Sequence, residues 1–434
     1  MKHLRNIFHK YYSSNYLKNF TALAGSEVIA QVILIAVTPL LTRVYSPDEF
    51  GQYEFYKSSA LLLTVMGFLN YDVSIYTSKN KSELINSLAL SILILFVICC
   101  LASVVLFFFN EFFVDFFESE IKTGWFWSLP LYAFFSSLTN LILMVLTKNG
   151  AFRLLSKIKI LVSIFVASTQ LFFGWLNWGY WGLIYSTIIV QIFAFSLYFK
   201  SFYREFKHNL HEFSFNGMDI ILRTYWRLPL IVFPGNFLNN LVQSLPVFFL
   251  GRIDSHVLGY YSLARRIIDF PLKFISSSVQ RLYVKNLTDE IEKTGTGVYT
   301  YVKHLKIYGF IAILLIAGIL VFTKPLLPFF FGNEWMPALP FILALGILFS
   351  VRFIFGGLSF IMVLGKAPSI DILWQVLFAI TISISFLICE YLKLSPIITV
   401  FVYVFSGVFS YMIYGLISYK VSKSKSMLSS TIKL

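Results

Sequence analysis

Leu84–Phe109 reads LINSLALSILILFVICCLASVVLFFF, 26 residues without one charged side chain. As a helix it rises about 39 Å at 1.5 Å per residue, more than the roughly 30 Å of hydrocarbon in a bilayer. It is therefore expected to cross a membrane. Eleven further runs of comparable character lie near 20–43, 52–75, 125–147, 157–175, 179–199, 228–251, 256–280, 305–330, 338–363, 369–389 and 395–419. Composition agrees, since 58% of the 434 residues are apolar and 13% are charged, against about 45–50% apolar in soluble domains. So few charges cannot cover a water-facing surface, which excludes a soluble multidomain enzyme. The gaps between runs leave no room for an aqueous domain. The expected fold is all-α, a polytopic integral membrane protein with twelve transmembrane helices.

The formal net charge of +14 has to be distributed around such a bundle. Twenty-five of the 35 Lys and Arg fall in loops on the N-terminal side of the membrane, and five fall on the other side. The positive-inside rule then places both termini in the cytoplasm, as an even number of spans requires. The loops account for the basic excess, which gives no reason to expect nucleic acid as a partner. The first run begins near Phe20, carries Glu27 and is followed by no small-residue cleavage site, so it is read as a retained helix rather than a signal peptide.

Sliding the chain by 208 residues places Gly51 on Gly259, Tyr53 on Tyr261 and Lys57 on Arg265. Six runs separate the copies, so both enter the membrane from the same side. The pattern predicts a parallel repeat of two six-helix lobes, 1–207 and 208–434, with a substrate site between the halves. Chance matching of Gly and Tyr in an apolar background is the alternative.

Nine charges fall inside the runs: Lys57, Arg265, Arg266, Lys273 and Arg352 against Glu27, Glu54, Asp72 and Asp269. Each costs at least about 2.5 kcal/mol at the bilayer centre unless it faces a partner or a water-filled cavity. Arg265, Asp269 and Lys273 are spaced i, i+4, i+8 and form one helical stripe, with Arg265 about 14 Å from the start of its run. Arg352 has no acid on its own run. Two readings stay open: the cations line an anion-attracting cavity, where an Arg fork would grip phosphate, or they pair structurally with Glu27, Glu54, Asp72 or Asp269. Glu27, Asp72 and Asp269 could also carry a coupling proton or Na⁺. Asn236, Asn239, Asn240 and Gln243 form a polar face for a sugar or for another helix. Tyr53, Tyr56, Tyr260 and Tyr261 precede the cationic positions and are the candidates for stacking on a sugar.

Other chemistry is absent. No phosphate loop of the form G-x-x-x-x-G-K-[ST] occurs, and Cys99, Cys100 and Cys389 lie within or at the edge of apolar runs and read as buried thiols. With no third ligand near any pair of His, neither a metal nor a cofactor is expected.

Ala24-Gly25-Ser26, Gln31, Pro39-Leu40-Leu41-Thr42-Arg43 and Tyr45-Ser46-Pro47-Asp48-Glu49-Phe50-Gly51, with the looser repeat Leu258-Gly259-Tyr260-Tyr261-Ser262-Leu263-Ala264-Arg265-Arg266 and Pro271, resemble the Wzx-type polysaccharide and O-antigen flippases. These belong to the multidrug/oligosaccharidyl-lipid/polysaccharide exporter superfamily. The resemblance implies a MATE-like pair of lobes that alternates access in the bacterial inner membrane. It implies a polyprenyl-pyrophosphate-linked oligosaccharide as cargo, for O-antigen, lipopolysaccharide or capsule assembly, with membrane lipids and other polysaccharide-assembly membrane proteins as partners. The cationic positions that match are Lys57, Arg265, Arg266 and Arg352, joined by Lys273 on the same stripe. A transporter, not an enzyme, is expected. The alternative within the same superfamily is a cation-coupled exporter of small drugs, which would favour an acidic or hydrophobic lumen over one holding more cations than acids. A glycan polymerase or acyltransferase would need a large outer loop or an intramembrane His.

Overall fold

The protein, seen here as a computed structural model, is described over residues 14–109, 111–112, 124–364 and 368–424. The remaining residues lie outside the described set, as do the side chains of residues 14–24 and of a few other helical residues, Lys273 among them. The elements are α1 (Ser14–Leu41), α2 (Pro47–Met66), α3 (Ser74–Thr77), α4 (Lys81–Phe108), α5 (Leu129–Lys148), α6 (Phe152–Trp175), α7 (Gly179–Phe206) and α8 (Phe215–Thr224). They continue as α9 (Phe233–Ile253), α10 (Ser255–Thr294), α11 (Val298–Phe331), α12 (Leu339–Leu358), α13 (Phe360–Leu364), α14 (Pro368–Tyr391) and α15 (Pro396–Lys423). Among the described residues there is no strand.

Each apolar run of the sequence coincides with a helix or a broken pair of helices, but they are not equally apolar. Eight described helices are long and apolar enough to cross a membrane, and nine if α2 and Tyr71–Thr77, which meet at 60°, form one span. Within α1 the apolar part is the shorter Gly25–Leu41. In α9 and α10 the Asn and Gln side chains and the charges listed above by number interrupt the run, so apolarity alone does not count them. Among the described residues eight or nine spans are therefore found where twelve are expected.

Local chemistry sets where helices start. Asn80 caps α4 by accepting from the Glu83 amide at 2.8 Å, while the Glu83 carboxylate accepts from the Lys79 amide at 2.7 Å. Asp254 caps α10, accepting from the amides of His256 and Val257 at 2.7 and 3.3 Å. Each such cap satisfies amides that the first turn leaves without a helical partner. At the far end of α10, Gly295 takes the left-handed φ of 73°, a conformation that glycine adopts without strain.

The described residues fall into two compact units. One comprises those up to Tyr45 together with Phe55–Asn240; the other comprises Ser46–Glu54 together with those from Leu241 onward. In the first, α1 packs on α6, α6 on α7, α5 on α7, and α4 on α5 and α8. Phe68, Ile75, Leu84, Leu88, Leu95, Leu141 and Val145 form its largest described core cluster. In the second, α12 packs against α10, α11 and α15, and α14 packs on α15. Large apolar side chains remain exposed, such as Phe96, Leu101, Phe107 and Phe108 of α4 and Phe310, Ile313, Val321 and Phe322 of α11. Exposed apolar surface on that scale is tolerated by lipid and not by water.

Candidate functional site

The start of α2 and the start of α10 are built as a pair within the second unit. Ser46 and Glu49 form a reciprocal capping box, the Ser46 amide donating to Glu49 Oε2 at 2.7 Å and the Glu49 amide donating to Ser46 Oγ at 3.3 Å. Pro47 follows the cap at the first helical position, where its missing N–H costs nothing. Asp48 accepts from Ser255 Oγ, and Glu54 accepts from Ser262 Oγ at 3.4 Å. Phe50 packs edge-on against the buried Trp335 with ring centroids 5.2 Å apart. A Cβ at Gly51 would overlap the Ser255 carbonyl, and one at Gly259 would overlap the Pro47 carbonyl. Glu54 and Ser262 are 208 residues apart, as are Gly51 and Gly259, so equivalent positions of the sequence repeat meet one another.

In the same unit a polar cluster assembles from α9, α10, α12 and α15. Arg265 pairs with Asp269 at 3.8 Å, as the i, i+4 spacing predicts, and donates to the Gln243 carbonyl at 3.4 Å. Glu54 is a second carboxylate acting on Arg265. Arg352 donates to the Gln243 side-chain oxygen at 2.9 Å and shares a hydrogen bond with Tyr411. Tyr261 is bonded to Tyr403. Gln243 therefore receives both guanidiniums, one on its backbone and one on its side chain. The acids expected for Arg352 are replaced by an amide and a phenol, neither of which neutralises charge. Arg265 is held among carboxylates, whereas the half-buried Arg352 has an amide and a phenol as its partners.

Arg266 is half-buried beside Arg265, Lys57 is exposed one turn after Glu54 on α2, and the side chain of Lys273 is outside the described set. Among the acids, Glu27 forms an ion pair with Lys159. Lys159 sits in the second turn of α6, although its position in sequence suggests a cytoplasmic loop. Asp72 is half-buried in the short helical turn Tyr71–Val73.

The tyrosines fare differently from their expected role. Tyr56 has no exposed surface and is sandwiched by Trp125 and Tyr132, with centroids at 5.2 and 6.1 Å. Tyr261 is 1% exposed and Tyr53 is buried. Only Tyr260, half-buried beside Trp335 and Phe341, keeps accessible surface. In this conformation the faces of Tyr56 and Tyr261 are occupied by packing and closed to a sugar. Asn240 is half-buried and turns back to the Asn236 carbonyl at 2.8 Å.

Gln243 belongs to the polar face read from its run, whereas Tyr403 and Tyr411 join the cluster without standing out in the sequence. A signal for α15 exists: Gly407, Ser410, Gly415 and Ser418 recur at helical spacing and are buried or line close approaches, with Leu348 against Gly407 and Phe355 against Gly415. Small residues at that period let a neighbouring helix approach closely, which brings the two tyrosines to Arg352.

A family model described as "Polysaccharide biosynthesis protein" matches residues 40–340. No curated protein matches the chain. Among solved structures it is similar to a lipid II flippase, MurJ, in an inward closed conformation, at 16% identity, TM-score 0.66, covering 94% of this chain and 90% of that one. It is also similar to an outward-facing multidrug resistance MATE transporter of the MOP superfamily, at 14% identity, TM-score 0.59, covering 96% and 97%. A MOP superfamily transporter from Pyrococcus furiosus Vc1, whose binding pocket is described as having reversed polarity, gives the same figures. At these identities the likeness is one of fold.

Proposed function

The chain belongs to the polysaccharide biosynthesis protein family, and from that membership we propose that it is a flippase for a polyprenyl-pyrophosphate-linked oligosaccharide, an O-antigen or capsule repeat unit. In this reading the cargo moves from the cytoplasmic to the periplasmic leaflet of the bacterial inner membrane by alternating access of two lobes, 1–207 and 208–434. Both termini are cytoplasmic, and the protein transports without covalent chemistry. The observation that carries the reading is Arg352, an intramembrane guanidinium held by Gln243 at 2.9 Å and not by an acid. Pyrophosphate and sugars cannot enter hydrocarbon unaided, because their hydration is worth too much. A guanidinium whose charge is not cancelled substitutes for that hydration at the phosphates, through paired N–H···O contacts. Arg265, with Asp269 and Glu54 against it, is the exchangeable member: an arriving phosphate competes with the carboxylates for its donors. Arg266, Lys273 and Lys57 add positive potential along the same path, and Tyr260, Tyr53, Tyr56, Tyr261 and Asn240 are the sugar-facing candidates in conformations that uncover them.

The test is flipping of a labelled lipid-linked oligosaccharide in reconstituted vesicles. Arg352→Ala and Arg265→Ala are expected to abolish it, while Arg352→Lys retains part. Full activity of Arg352→Ala would remove the anion-site reading. Cation-driven efflux of small drugs by the same vesicles, with no lipid flipping, would favour the exporter alternative.

A further inference from the structure

α9 runs unbroken from Phe233 to Ile253, so the placement of its residues relative to one another follows from the helix alone. Asn236, Asn239 and Gln243 are spaced i, i+3, i+7 and fall on one stripe. Val247 and Leu250 continue it at the same period. Exposure falls in order along that stripe: Asn236 and Asn239 are exposed, Gln243 is half-buried, and Val247 and Leu250 are fully buried. Its accessible part therefore ends at Gln243, which holds Arg265 through its carbonyl and Arg352 through its side chain.

The chemistry of the accessible part does not suit lipid. Leu230 and Ile231, just before α9, are 66% and 52% exposed, as a hydrocarbon-facing surface allows. Two turns further on, the exposed side chains become carboxamides, each with two donors and an acceptor. In hydrocarbon such groups are stranded without partners. The Asn236 side chain makes no hydrogen bond among the described residues, its backbone carbonyl being the acceptor for Asn240 at 2.8 Å. Polar side chains so placed in a membrane span face water or a polar ligand. Asn239 and Asn236 precede Gln243 by about 6 and 10 Å along the helix axis. A ligand whose phosphates reach the guanidiniums at Gln243 thus has uncharged amides beside its next part. Amides both donate and accept, which matches hydroxyl groups, whereas a phosphate only accepts.

We infer that Asn236 and Asn239 form the subsite for the sugar bonded directly to the pyrophosphate, their carboxamides meeting ring hydroxyls while the guanidiniums beside Gln243 hold the phosphates. The inference rests on the flippase reading and adds to it a determinant of which glycan is accepted. Asn240, engaged with the Asn236 carbonyl, lies beside this pair and not in it.

Binding is measured on the full chain in nanodiscs with a polyprenyl pyrophosphate, bare or carrying one glucose, galactose or N-acetylglucosamine. At least one sugar-bearing probe is expected to bind about tenfold more tightly than the bare one, the worth of one net hydrogen bond. Asn236→Leu combined with Asn239→Leu should remove that increment and keep the bare affinity, which also reports that the variant folds. Asn236→Gln keeps the amide but displaces it, and should change the order of preference among the sugars. Arg352→Ala should weaken every probe alike. A preference that survives the double variant overturns the subsite and leaves the flippase reading in place, as does an unaltered chain that binds all four probes equally. If the double variant alters the oligomeric state and the sugar preference stays, the stripe is a contact between copies and the subsite is overturned. Should the double variant lose the bare probe too, Asn236→Gln decides, an unchanged order of preference overturning the subsite. Failure of the unaltered chain to bind any of the pyrophosphates overturns the reading itself and the subsite with it.

Discussion

Gly51 and Gly259 occupy equivalent positions of the repeat, and each lies against the backbone carbonyl that opens the other's helix: Gly51 against Ser255, Gly259 against Pro47. The contact is reciprocal, as it must be when two copies of one motif meet about a two-fold axis. It also gives the family motif a mechanical content. Ser46 and Glu49 start the helix, Asp48 takes the hydroxyl of Ser255, and Gly51 removes the side chain that would hold the two backbones apart.

Gly51→Ala and Gly259→Ala are each expected to destabilise the protein by about 1–3 kcal/mol, the usual cost of forcing a methyl group into a closed site. Gly309→Ala, where a Cβ meets nothing, is the matched control and should not lower thermal stability in detergent. Because the two glycines share one contact, the double variant should lose less than the sum of the singles.

Gln243→Leu removes the acceptor of Arg352. Loss of a hydrogen bond to a charged group should cost about 2 kcal/mol of stability and abolish flipping. Gln243→Glu keeps an acceptor but neutralises the guanidinium, so thermal stability should be retained while flipping falls. Equal flipping by Gln243→Glu and the unaltered chain would show that the charge of Arg352 is not what the cargo uses.

Glu27 and Lys159 form an ion pair within the first unit. Glu27→Gln or Lys159→Gln leaves the other charge without this partner, and with the two side chains 37% and 51% exposed the cost should be at most about 1 kcal/mol, most of which the double variant should recover. Flipping that disappears in the double variant despite recovered stability would instead assign Glu27 to ion coupling.

Tyr56→Phe keeps the packing on Trp125 and Tyr132 and gives up the 3.5 Å hydrogen bond that its hydroxyl accepts from Ser128 Oγ. It should leave stability within about 1 kcal/mol, whereas Tyr56→Ala should cost about 3–5 kcal/mol through the void it leaves. Measured on thermal denaturation alongside cargo binding, this separates packing from sugar recognition.

The Leu84–Phe109 run, the capping residues and the 208-residue repeat were legible because each depends on neighbours in sequence. Helix formation in lipid follows from apolar length, a cap from the identity of a residue three positions before another, and a repeat from spacing. The stripe on α10 was legible for the same reason, and Arg265 does pair with Asp269. Lys159 is ambiguous in the sequence because one charge near the end of an apolar run marks either a boundary or an ion pair, and only its partner 132 residues earlier, Glu27, distinguishes the two. Tyr56 and Tyr261 were read as open because an aromatic before a cation has the same sequence whether its ring faces a lumen or a core.

What the amino-acid sequence determined unaided is the solvent of this protein, its helical construction and the two equivalent segments that begin with Pro47 and Ser255. What only the tertiary structure decided is which polar groups meet: that Gln243 holds both Arg265 and Arg352, and that α15 brings Tyr403 and Tyr411 to them. Periodicity assigns a residue to a face of its own helix, but the rotation and depth of each helix are set by how all the faces of a unit pack at once. A partner on another helix is therefore a property of that packing and of no single stretch of chain.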